Sequence, residues 1–155
     1  MAEPSFIATN PGLAACANYK PARMQPLHHM SSTKKRSEEA VARFMAGYNC
    51  AQSVSSVFAG DAGVPEEIIL RAATGFGGGM GHTGGACGAV SGAIRIIGLM
   101  AGSTGPDEKE AKDLTYALTR EFIARFTQKN GNTSCTGLLG YDLSTDEGLA
   151  RVREQ

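Results

Sequence analysis

The sequence has no tryptophan, and aromatic residues make up only 6% of it, so small and aliphatic side chains must fill most of any core. It has no excess charge of either sign, because fifteen Lys and Arg balance fifteen Asp and Glu. A formally neutral chain offers no electrostatic case for nucleic acid or for an anionic membrane surface. No run approaches the roughly eighteen apolar residues that a transmembrane helix needs, so membrane insertion is not expected. The four cysteines, Cys16, Cys50, Cys87 and Cys135, include no C-x-x-C pair. That removes the common zinc-ribbon and thioredoxin signatures, and without C-x-x-C-H covalent haem attachment is not expected either. Nothing resembles a cysteine-dense secreted scaffold. No G-K-[ST] follows a glycine run, which excludes a P-loop.

At 155 residues the chain fits one domain with enough length to bury a core. Residues 1–36 hold four of the six prolines and no apolar periodicity, and read as a disordered leader ahead of a single helical domain over 37–155. Within that leader the run Lys34-Lys35-Arg36 reads as a solvated charge cluster, and His28 and His29 as uninvolved. Leu13-Ala14-Ala15-Cys16 resembles the small-residue box before a lipid-modified cysteine, but Glu3, Pro4, Asn10 and Pro11 break the segment ahead of it. The cytoplasm is the default compartment.

Periodicity and caps give an all-α domain, a bundle of about four to five helices. The first helix is expected from about Ser37 to Ala59, with Val41, Phe44, Tyr48, Ala51, Val54 and Phe58 as its buried stripe. Pro65, Glu66 and Glu67 announce a short second helix that stops at Gly75. A third helix, from about Gly85 to Met100, is apolar around nearly its whole circumference and should be the central one. A fourth begins near Pro106 and ends at Asn130-Gly131, with Ala111, Leu114, Leu118, Phe122, Ile123 and Phe126 on its buried stripe. A last helix is expected from Ser144, with Glu147 as capping-box partner. No alternating pattern supports a strand.

Half of the residues in the stretch Gly75 to Gly92, GFGGGMGHTGGACGAVSG, are glycine. Glycine loses the most conformational freedom on folding, so such a run implies unusual backbone angles or very close approach of other groups. Gly79-Met80-Gly81-His82-Thr83-Gly84 formally satisfies G-x-G-x-x-G, but a helix precedes it where a dinucleotide site needs a strand. Gly84, Gly88 and Gly92 recur every four residues and would let a neighbouring backbone come close. Cys87 lies in this stretch, in the first turn of the expected third helix, where the helix dipole favours the thiolate. Read alone, it is equally a small buried residue at a tight helix contact. Cys50 and Cys135 read singly as inert buried thiols, yet a compact bundle could bring all three together. His82 is the nearest nitrogen ligand to them, or else a loop histidine facing solvent.

The motifs Cys50 in GYNCAQSV, then Cys87-Gly88-Ala89-Val90-Ser91-Gly92, then Cys135 in GNTSCTGLLGYDL resemble the redox-active C_GCAxxG_C_C family, named for its cysteine pattern. The resemblance runs from about Ser37 onward. It implies that Cys50, Cys87 and Cys135 are the functional thiols, and it suggests a relation to a domain of split-Soret cytochromes, in which an iron–sulfur centre accompanies haem. The family pattern also carries a later cysteine, and this sequence has none after Cys135. A fourth ligand would then come from His82, water or a partner subunit.

Three readings follow. The leading one is ligation of an iron–sulfur cluster by the thiolates of Cys50, Cys87 and Cys135, with Gly84, Gly85 and Gly88 giving backbone N–H groups to the cluster and His82 at hand. The second is a metal-free thiol–disulfide protein, in which Cys87 is the nucleophile and Cys50 or Cys135 resolves. The third is a helical binding module whose Gly84-Gly88-Gly92 face packs against a second copy, a homodimer, or another partner. A redox partner is expected in the first two.

Overall fold

The computed structural model describes residues 33–154. The lipobox-like segment, Cys16, His28 and His29 lie outside that range. The described residues form seven α-helices and no strand beyond one isolated bridge pair: α1 (Thr33–Met45), α2 (Cys50–Ser56), α3 (Glu66–Ala73), α4 (Gly88–Ala101), α5 (Lys109–Asn130), α6 (Cys135–Leu139) and α7 (Asp146–Arg153). The all-α expectation holds, with more and shorter helices than periodicity implied.

The extra helices come mainly from the first segment, which is two helices rather than one. Gly47, at φ +100, takes a conformation open to glycine and stops α1. Asn49 then starts α2 with a full capping box: its side chain accepts from the Gln52 N–H at 3.0 Å, and its own N–H donates to Gln52 Oε1 at 3.1 Å. Gln52 Nε2 also donates to Leu70 O and Thr74 Oγ1, both at 3.1 Å, which ties the start of α2 to the end of α3. Cys50 is thereby fixed at the first position of α2.

α1 takes in Thr33 to Arg36, which the sequence pattern assigns to the leader. Arg36 is buried rather than solvated: it donates to Val57 O at 3.1 Å, pairs with Asp61 and stacks on the Phe58 ring at 4.6 Å. The part of the expected apolar stripe that falls on α1 is not buried, with Val41 62% and Phe44 52% exposed.

α4 is the central element, as its apolar circumference implied, and packs against both α2 and α5. Its glycine face is filled from within the chain. A Cβ at Gly88 would stand 2.9 Å from Ala51 N, and one at Gly92 would stand 2.9 Å from Ala51 O. The backbones of α2 and α4 therefore cross almost in contact, so Gly88 and Gly92 do not face a second copy. Gly84 lies outside the helix, against Thr136.

Two cores result. One joins Ala59, Ile69 and Ile96 with Phe58, Val64 and Met100. The other joins Cys87, Val90, Cys135 and Leu143, covered by Phe122, Phe126, Leu138, Leu149 and Val152 from α5, α6 and α7.

Between α3 and α4 the chain makes a short 3-10 turn, Thr74–Phe76, and then reverses its handedness. Gly78, Gly79, Met80, Gly81 and His82 all have φ between +60 and +74. The Gly81 and His82 N–H groups donate to Gly77 O, so these residues form one turn of left-handed helix. Left-handed geometry costs an ordinary residue roughly 1–2 kcal/mol, which Met80 and His82 bear and the glycines avoid.

Candidate functional site

The left-handed turn delivers residues 84–86 to the segment that follows α5. Gly131, at φ +83, ends α5, and the Asn132 side chain then accepts from the N–H groups of Thr133 and Ser134 at 2.8 and 2.9 Å. Ser134 caps α6 by accepting from Gly137 N at 3.0 Å. Ala86 and Ser134 form the antiparallel bridge. Around it Cys87 N donates to Thr133 O at 2.8 Å, Cys135 N to Gly85 O at 2.8 Å, and Thr136 N to Gly84 O at 3.1 Å.

That bridge sets two cysteines side by side at two helix starts. Cys87 is the N-cap of α4, one position before the first turn in which the sequence pattern places it, and Cys135 is the first residue of α6 rather than a loop residue. They are 8% and 4% exposed. Cys50, half-buried, joins them across the α2–α4 crossing, its Cβ 3.0 Å from where a Gly88 Cβ would be. All three are free thiols.

Electrostatics record the same proximity. Cys135 is pushed up to about 11, first by burial and next by the charge of Cys87; the Gly88 N–H opposes this, while the Cys50 charge and a hydrogen bond with Cys87 add to it. Cys50 is raised by burial first and by the charge of Cys87 second, against its own backbone N–H. A negative charge on Cys87 therefore holds protons on both neighbours.

The glycine loop differs from the expectation that its amides are free donors. Gly84 N donates to Gly78 O and Gly85 N to Gly79 O, both at 3.1 Å. Of the three, Gly88 alone acts on a cysteine, its N–H favouring ionisation of Cys135. His82 is exposed, and its ring folds over Gly78, where a Cβ would meet Nδ1 at 2.7 Å. Among the described residues no three His, Cys, Asp or Glu side chains are grouped so that they could hold a metal ion.

Sequence reasoning missed the residues that build the site: Asn49 and Gln52, which fix Cys50, and Asn132 and Ser134, which fix Cys135. Each is a side-chain cap, and both the N-x-x-Q and the N-x-S patterns stand in the sequence. The Ala86–Ser134 bridge has no local signal at all.

Residues 48–155 match the family described as "Putative redox-active protein (C_GCAxxG_C_C)". No curated protein and no solved structure matches. Among the described residues, no helix is long and apolar enough to cross a membrane.

Proposed function

The chain belongs to this redox-active family, and from that premise we propose that it carries out two-electron thiol–disulfide chemistry with Cys87 and Cys135. The single observation that carries this reading is that Cys87 and Cys135, both free thiols, share one buried core across the Ala86–Ser134 bridge, because two neighbouring thiols can bond covalently on loss of two electrons. The co-reactant is a disulfide, small or borne by a protein. The Cys87 thiolate attacks one of its sulfurs; the new S–S bond forms, the old one breaks, and the first thiol leaves with the electron pair and a proton. Cys135, protonated until then, loses its proton as it attacks Cys87 in the mixed disulfide and expels the second thiol. The protein ends oxidised by two electrons and the co-reactant reduced by two. Cys50, the most accessible of the three, is the entry point for a further exchange.

The cluster reading has less support, since the donors are not grouped for a metal ion among the described residues. No step is routed through a cluster. A partner subunit that completes the ligand set would reinstate it.

The test is thiol titration of reduced protein after mild oxidation, paired with iron, zinc and acid-labile sulfide content of protein purified without air. Loss of two thiols, with peptide mapping that finds Cys87 linked to Cys135 and no metal, is the expected result. Iron and sulfide in matching amounts that disappear in Cys87→Ser would overturn the thiol reading in favour of the cluster.

A further inference from the structure

Arg95 is a cation that the thiol chemistry does not use. Its two terminal nitrogens are shut off from solvent, and among the described residues neither has a hydrogen-bond partner. Its one specific contact is the Phe76 ring, 4.1 Å from the guanidinium carbon. Burial lowers its pKa, and no acidic neighbour offsets this. A guanidinium presents a rigid fork of donors, and leaving that fork unpaired away from water is strongly unfavourable. The fork stands ready for an anion that the described residues do not supply.

Its position ties it to the cysteines. Gly88 and Arg95 are seven residues apart and share one face of α4, with roughly 10 Å of axial rise between them. Helical side chains lean toward the N-terminus, so the Arg95 head returns over that gap. Phe76 joins both ends: its ring stacks on Arg95, and its carbonyl oxygen is 3.0 Å from where a Gly88 Cβ would stand, beside Cys50. The ring also covers the guanidinium, and it is flanked by Gly75 and Gly77, of which Gly75 has nothing within 4 Å of its Cβ position. A small swing of Phe76 there would uncover the guanidinium on the face of α4 that Cys50 meets at Gly88.

We propose that Arg95, gated by Phe76, binds the carboxylate of a small disulfide or thiol that exchanges with the cysteines. The inference rests on the thiol reading above. A flat carboxylate pairs edge to edge with the two free Nη groups, in the plane of a guanidinium that lies on a ring.

Two measurements test it on the full chain. In the first, side-chain nitrogen resonances of Arg95 are followed by NMR as propionate, and separately inorganic phosphate, is added. A saturable shift with propionate is expected; no shift removes the subsite, and a shift with phosphate alone overturns the carboxylate assignment. In the second, reduced protein is oxidised by 3,3′-dithiodipropionate or by the neutral 2-hydroxyethyl disulfide. Arg95→Met should slow the first reaction about ten- to a hundredfold, the scale of a lost hydrogen bond to charge, and leave the second unchanged. Equal slowing of both would make Arg95 structural and overturn the proposal. If Arg95→Met does not fold, Arg95→Lys is expected to retain part of the discrimination, and equal rates with wild type would count against it. If neither disulfide oxidises the wild type, the thiol reading falls and the substrate assignment falls with it, whatever propionate does.

Discussion

Cys135 holds its proton because it is buried and because charge on Cys87 opposes its ionisation. A thiol raised by folding binds its proton more tightly in the native than in the unfolded chain. Its contribution to stability is therefore complete below the unfolded value and is lost as pH climbs through the folded one. Reduced protein should lose stability to urea between pH 9 and pH 11, the interval between 9.0 and the value of about 11. Cys135→Ser should flatten that slope, and an unchanged slope would assign it to other groups. Gly88 makes a second test at this scale. Its missing Cβ leaves room for Ala51 N at 2.9 Å and for Cys50 Cβ and Phe76 O at 3.0 Å, mostly groups that cannot swing aside. Gly88→Ala should cost about 1–3 kcal/mol, read from urea unfolding, and should speed alkylation of Cys50. Gly98→Ala, on the same helix with nothing within 4 Å, is the control and should gain up to about 1 kcal/mol.

Among the elements, the left-handed turn gives the most direct test of backbone geometry. Gly81 sits at φ +66 with open space around its Cβ position, so sterics with neighbours play no part there. Gly81→Ala should destabilise by about 1 kcal/mol through chirality alone. D-alanine at 81, introduced by chemical ligation, should instead stabilise by about 0.4–1 kcal/mol by restricting the unfolded chain. Thermal melts of the two would separate handedness from bulk. The same stretch shows what a sequence carries. Glycine density alone announced unusual angles between Gly75 and Gly92, and the caps at Pro65 and Gly131 placed α3 and the end of α5 closely. The break after Met45 was legible too, in Gly47, Asn49 and Gln52, but the stripe Val41, Phe44, Tyr48 outweighed it. Periodicity could not report that this stripe stays exposed, because burial depends on which partner a helix meets, and α1 is fastened instead by Arg36 to Val57 and Asp61.

For the whole molecule, the decisive contact is a single pair of residues far apart in the chain, and no local pattern could have revealed it. The Ala86–Ser134 bridge brings Cys87 and Cys135 together across 48 positions (135 − 87), a span that holds all of α4 and α5. On the proposed chemistry, oxidation would turn this span into a covalent ring with two tails. Closing a loop of that size removes enough unfolded-state entropy to stabilise the fold by roughly 4 kcal/mol, so the oxidised form should melt on the order of ten degrees above the reduced one. Calorimetry on the two forms would read it, and coincident melts would mean that the two sulfurs never bond. The molecule would then register the redox state of its surroundings in its own topology. A protease that nicks the oxidised chain once between α4 and α5 would leave the two halves on one strand of covalent bonds, whereas the same nick in the reduced chain would leave two separate peptides.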